Sequence, residues 1–375
     1  MAGSVKLESV TIDVAPGAAH ESQSGLQSMR PRIWGALARP DTPTRTCAVV
    51  VHPTSNFMGH YLLEPLARRG VAALGLNTRY LGNDAMLVLE RAIQDVGAGV
   101  TWLRRQGFER VILIGNSGGG ALVSLYQAQA ERLTLTETPA GDPVDLDAGD
   151  LPPADGIALC AAHLGRSHLL KMWADPAVID EADLLATDPA LDMFNEVNGP
   201  PYSPEFLRAY RAAQVERVSG LERWCRARLR QLRACPDGPR DLPFVVHRTL
   251  ADPRTLDPAI DPNDREIGTT VWGEPYAQNF AANSMGRFTS LTGFLSQWAP
   301  CSRGHGPANL ALTSVPVLLA EHTADSSVFP PDNEEWTRAA AGRVSTIRLE
   351  KGTHYLAGQP HLVAELADAI AGFSR

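Results

Sequence analysis

Four consecutive apolar residues, Val111-Ile112-Leu113-Ile114, run without a break into Gly115-Asn116-Ser117-Gly118-Gly119, and a helical pattern follows to about Ala130. A buried strand that turns so abruptly into a helix leaves the middle residue in a strained conformation. It also leaves no room for side chains two places before or after that residue, which is where the glycines stand. The turn lifts the Ser117 hydroxyl clear of the strand. It sets the serine at a helix N-terminus, where free N–H groups and the helix dipole favour a developing anion. The Gly118 N–H is the expected first donor to such an anion. Two other readings of the glycines stay open: a turn that merely packs closely, and a phosphate cradle. The cradle lacks the following Lys-Ser/Thr pair and the G-x-G-x-x-G pattern.

The rest of the chain repeats this alternation. Lys6–Val14 alternates apolar and polar residues, residues 15–30 read as a loop, and Arg32–Ala38 reads as a second strand. Cys47–Val51, Val71–Leu76 and Ile157–Ala161 are short apolar runs suited to strands buried on both faces. Helical spacing is found over His60–Arg69 and Asp84–Gln106. Strand–helix repeats with short connections predict a mostly parallel central sheet with helices on both faces and an antiparallel pair at one edge. The pattern breaks over residues 164–299, where prolines and aromatics are frequent and Glu205–Gln231 is helical. It resumes with a strand at Val315–Ala320, a helix at Asn333–Ala341, a strand at Val344–Leu349 and a helix at His361–Phe373. The expected organisation is a core of residues 1–163 and 300–375, with a large, mainly helical lid at 164–299 between strands six and seven.

A serine hydroxyl is a weak nucleophile unless a base takes its proton, and the base needs a carboxylate to orient it. Both should follow late strands. After Val315–Ala320 comes Glu321-His322-Thr323-Ala324-Asp325, so Asp325 is the expected acid, with Glu321 in reserve. A turn-capping aspartate is the other reading of Asp325. After Val344–Leu349 comes Gly352-Thr353-His354, which makes His354 the expected base. A second oxyanion donor should come from His52-Pro53-Thr54-Ser55. Pro53 has no N–H, so Thr54 is the expected donor with Ser55 behind it. His163 and Trp173, just after the sixth strand, are candidate substrate contacts.

The chain has 42 acidic and 34 basic residues and a net charge of −8, with no Lys/Arg run, so no nucleic acid or anionic membrane partner is expected. The first residues show no basic-then-apolar leader, and no apolar run approaches a membrane span. Five scattered cysteines without a C-x-x-C pair read as reduced thiols in a cytoplasmic protein. A bridge from Cys225 or Cys235 to Cys301 is the alternative. No metal site is expected, since His163 and His168 are too widely spaced in sequence and lack a supporting carboxylate pair. A homodimer stays open.

Gly115-Asn116-Ser117-Gly118-Gly119, Ala324-Asp325 after Val315–Ala320, and Gly352-Thr353-His354 together resemble the α/β-hydrolase superfamily, over nearly the whole chain outside the lid. The resemblance implies a Ser-His-Asp hydrolase of esters, lactones or thioesters that needs no cofactor, with a lid that shapes substrate choice. Many members carry His-Gly where this chain has His52-Pro53. A serine at 117 also separates the chain from the dehalogenases and epoxide hydrolases of this fold, which use an aspartate there. The leading expectation is an ester or lactone hydrolase acting on a small-to-medium apolar substrate. The same three residues could instead serve acyl transfer or carbon–carbon bond hydrolysis. A ligand-binding protein without turnover is the alternative from another class.

Overall fold

The computed structural model describes residues 5–16 and 31–375, so most of the loop expected over 15–30 lies outside the described residues. In chain order the core elements are β1 (Lys6–Asp13), β2 (Arg32–Arg39), β3 (Thr46–His52), α1 (Leu63–Ala67), β4 (Ala72–Asn77), α2 (Leu89–Arg105), β5 (Arg110–Asn116), α3 (Gly119–Glu131) and β6 (Gly156–Cys160). The next segment holds α4 (Arg166–Trp173), α5 (Pro204–Arg233), β7 (Pro243–Val245), α6 (Pro275–Phe280), β8 (Phe288–Ser290) and α7 (Leu291–Gln297). The chain closes with α8 (Gly306–Leu310), β9 (Val317–His322), α9 (Pro330–Ala339), β10 (Val344–Leu349) and α10 (Pro360–Phe373).

One sheet of eight strands runs in the order β1-β2-β4-β3-β5-β6-β9-β10. β1 and β2 are antiparallel at one edge, and the strands from β4 to β10 are parallel. Strands inside such a sheet are covered on both faces, which is why β3, β5 and β6 are apolar runs and β1 alternates. One face packs against α2 and α3 through Val49, Leu74, Leu113 and Leu122; the other packs against α1 and α10 through Val50, Ala73, Ile114 and Leu366. Truncating any of the larger of these to alanine would cost ~2–5 kcal/mol.

The segment between β6 and β9 adds no strand to this sheet. Its one long helix, α5, buries Tyr210, Val218, Leu221 and Cys225, and β7 and β8 form a separate antiparallel pair. The helix expected from Asp84 begins only at Leu89, because Asp84–Met86 forms a separate 3₁₀ turn. The five cysteines are free. No helix among the described residues is long and apolar enough to cross a membrane.

The register sets His52 beside Asn77, Val51 beside Gly115 and Asn116 beside Cys160. The C-terminal ends of β3, β5 and β6 therefore lie together at one edge of the sheet, and the loops that follow them converge there.

Candidate active site

The turn after β5 is as tight as its glycines require. Ser117 has φ 55°, in the left-handed region, and its N–H donates to the Cys160 carbonyl at 3.0 Å. The His163 N–H donates back to the Ser117 carbonyl at 3.2 Å, so the end of β6 clamps the serine from both sides. A side-chain carbon on Gly119 would stand 2.1 Å from the Val51 carbonyl oxygen, and one on Gly115 would stand 2.6 Å from the Cα of Gly120. Only glycine fits either position. Asn116 braces the turn: its amide donates to the Cys160 carbonyl, and its Oδ1 lies 3.3 Å from His60 Nε2.

The loops after β9 and β10 meet beside this turn. The Ala324 N–H donates to the Gly352 carbonyl, and His322 Nδ1 lies 2.9 Å from the Thr353 carbonyl. These contacts hold the two loops in register. His354 Nδ1 is 2.8 Å from Asp325 Oδ2, and His354 Nε2 is 3.0 Å from Ser117 Oγ. Asp325 is fully buried, and its other oxygen accepts the N–H groups of Ser327 and Val328. Burial alone would raise its pKa, but the adjacent His354 and these hydrogen bonds more than offset that and hold it below the ordinary carboxylate value. An ionised carboxylate can only accept, so His354 donates through Nδ1 and leaves Nε2 to accept a hydrogen bond from the Ser117 hydroxyl. Glu321 lies within β9, opposite Arg348, and it is Asp325 that pairs with His354.

His163 was expected only as a substrate contact, yet its Nε2 also lies 3.0 Å from Ser117 Oγ. The serine has one proton to give. If His354 takes it, His163 donates from Nε2 to an oxygen lone pair. Its Nδ1 is buried without a partner, and burial, reinforced by His354, lowers its pKa to about 3. It is therefore a neutral ring at any ordinary pH. Its position follows a left-handed kink at Ala161, φ 45°, for which the sequence carries no glycine signal. Trp173, the other expected contact, does not line the cavity. It is buried behind His163, edge-on to that ring at 6.1 Å.

The 53–55 loop also departs from expectation. The N–H groups of Thr54 and Ser55 both donate to His52 Nδ1, at 3.2 and 3.0 Å. Neither points its hydrogen at a substrate. The Thr54 hydroxyl is held between Arg166 and Asp84. The Gly118 N–H, by contrast, has no hydrogen-bond partner among the described residues.

Ser117, Gly118, His163 and His354 open onto a cavity of about 510 Å³, which Phe57, Tyr61, Trp272, Met285 and Tyr355 also line. Among the described residues, no three His, Cys, Asp or Glu side chains come together in a way that would hold a metal ion.

No known protein-family profile matches this chain, and no curated protein does. Solved structures do resemble it. DcsB, determined in complex with a substrate analogue, is 13% identical with 98% of each chain covered and a TM-score of 0.50. An esterase domain from Rhodothermus marinus is 14% identical, with 98% of this chain and 97% of that one covered and a TM-score of 0.47. A monoacylglycerol lipase from Paleococcus ferrophilus is 16% identical, with 91% and 97% covered and a TM-score of 0.47. Likeness at such identity bears on the fold alone.

Proposed function

This chain has the α/β-hydrolase fold, and from that we propose that it is a serine hydrolase that cleaves a carboxylic ester or lactone through an acyl-enzyme on Ser117. The observation that carries the reading is the line of contacts from Ser117 Oγ to His354 Nε2, at 3.0 Å, and from His354 Nδ1 to Asp325 Oδ2, at 2.8 Å.

In this reading Ser117 Oγ attacks the carbonyl carbon while His354 takes its proton, and the π pair of the C=O bond moves onto oxygen. The Gly118 N–H hydrogen-bonds that oxygen, helped by the N-terminus of α3. The carbonyl re-forms, the bond to the leaving oxygen breaks, and His354 returns its proton to the departing alcohol. Water then repeats the sequence, with its proton going to His354, and frees the acid and Ser117. Asp325 holds the imidazole in the one tautomer that can accept, and it stabilises the imidazolium.

The cavity's aromatic lining supports an acyl or alcohol group that is small to medium and apolar. Residues 164–299 would act as a lid in this scheme, since Trp272 and Met285 come to the cavity from them. The test is turnover of a panel of esters, lactones and thioesters by the wild type and Ser117→Ala. Cleavage of at least one by the wild type, with loss of about a thousandfold or more in the variant, supports the reading. Equal turnover by the two proteins would contradict it.

A further inference from the structure

We propose that the second donor to the oxyanion is the His52 side chain, acting through Nε2–H in place of a backbone amide of the 53–55 loop. The inference rests on the serine-hydrolase reading above and deepens it.

The argument starts from the tautomer. Two backbone N–H groups, those of Thr54 and Ser55, converge on His52 Nδ1 at 3.2 and 3.0 Å. A nitrogen that accepts twice carries no hydrogen, so the ring's proton is on Nε2. That nitrogen has no hydrogen-bond partner among the described residues, although the ring is only half-buried and lines the cavity with Ser117. Its position is close to Gly118: a side-chain carbon there would fall 2.8 Å from Nε2 and 3.4 Å from Cδ2. The free N–H of Gly118 and the free Nε2–H of His52 thus belong to neighbouring groups beside the nucleophile. A glycine at 118 is what leaves space for the ring.

The alternatives on the loop are occupied. Pro53 has no N–H, and its carbonyl accepts the Thr78 hydroxyl at 2.5 Å. The Thr54 hydroxyl is tied to Arg166 and Asp84, which keeps its amide from turning outward. Phe57 packs against the His52 ring at 5.5 Å and helps to fix its plane. Loss of contact with water, and after it the nearby charge of Arg166, holds the ring's pKa well below the ordinary histidine value, so the ring stays neutral and its single hydrogen sits on Nε2. It hydrogen-bonds the oxygen as charge builds and is released as the carbonyl re-forms. No proton moves.

The experiment has two arms. The first measures kcat and KM with an ester substrate for the wild type, Ser117→Ala, His52→Phe and His52→Gln. Phenylalanine keeps a ring against Phe57 without a donor, and glutamine keeps an N–H. His52→Phe should lower kcat by about a hundredfold to a thousandfold with little change in KM, and His52→Gln should recover part of that loss. The second arm uses nitrogen-15 histidine spectra of the wild type with and without a boronic acid, whose tetrahedral adduct on Ser117 puts an oxygen at the same place. The spectra should show His52 as the Nε2–H tautomer, with that proton moved downfield by the adduct. Wild-type kcat in folded His52→Phe would overturn the donor, as would an Nδ1–H tautomer or an Nε2–H signal unmoved by the adduct. Those results, with Ser117→Ala inactive, leave the serine reading in place. A wild type that cleaves no ester and forms no adduct removes that reading and the donor together.

Discussion

His163 Nε2 lies 3.0 Å from Ser117 Oγ, the same separation as His354 Nε2, so one hydroxyl is shared between two imidazoles of different standing. Only His354 has a carboxylate behind it. His163 has no partner at Nδ1 and supports the serine from a neutral ring. Replacing it with phenylalanine removes one hydrogen bond to Oγ and keeps the packing against Trp173. The account predicts a loss of about tenfold in kcat, the worth of a single buried hydrogen bond. Steady-state kinetics on His163→Phe and His354→Ala would check it, with the His354 variant falling much further.

Asp325→Asn keeps the shape of the site and inverts its proton logic. The Asn carbonyl oxygen can still accept the Ser327 and Val328 N–H groups that Asp325 Oδ1 accepts. Its NH₂ then faces His354 Nδ1, which must become an acceptor, and the ring proton moves to Nε2. That nitrogen can no longer take the serine proton. A fall in kcat of about ten-thousandfold is expected. Kinetics paired with a thermal melt would distinguish it from unfolding.

The left-handed φ of 55° at Ser117 costs stability. Alanine in its place keeps the strain, and glycine relieves it. Ser117→Gly should therefore unfold about 1 kcal/mol harder than Ser117→Ala, by urea titration of both variants. The opposite order would argue that the surrounding clamp, not the torsion, sets the local energy.

Four histidines packed away from water give the fold an acid sensitivity. Burial lowers His60 and His168 to about 4 and His163 to about 3, and lowers His52 as well. In the unfolded chain each binds a proton near pH 6.5, so between that pH and the folded value the unfolded state holds more protons. Their contribution to stability is complete above about pH 6.5 and is lost as pH falls toward 3. His163→Gln should flatten the dependence by about one proton, ~1.4 kcal/mol per pH unit, across pH 6 to 4.5. Unfolding free energies measured across that range for both proteins would test it.

How much of this could be read in the sequence depends on the distance over which each feature acts. Ser117 and Asp325 follow apolar runs that read as buried strands, and His354 follows the half-polar edge strand β10, so their places on one edge follow from topology. The glycines around Ser117 are equally local, because their collisions are with the adjoining strand and helix. The arrangement around His52 is not legible in the same way. Inspection of Pro53-Thr54-Ser55 counts N–H groups but does not reveal that the His52 ring folds back over two of them. The proline after His52 was the one available hint. His163 reaches Ser117 through a kink at Ala161 that no glycine marks. Trp272 comes to the cavity from a segment of irregular backbone, where no periodicity orders the aromatics.

The central claim is that Ser117 is an activated nucleophile, and intact-mass labelling with a fluorophosphonate on the wild type and Ser117→Ala tests it most directly. The account predicts one phosphonyl adduct on the wild type and none on the variant. A folded wild type that takes no label, or a variant that takes it as readily, would contradict it.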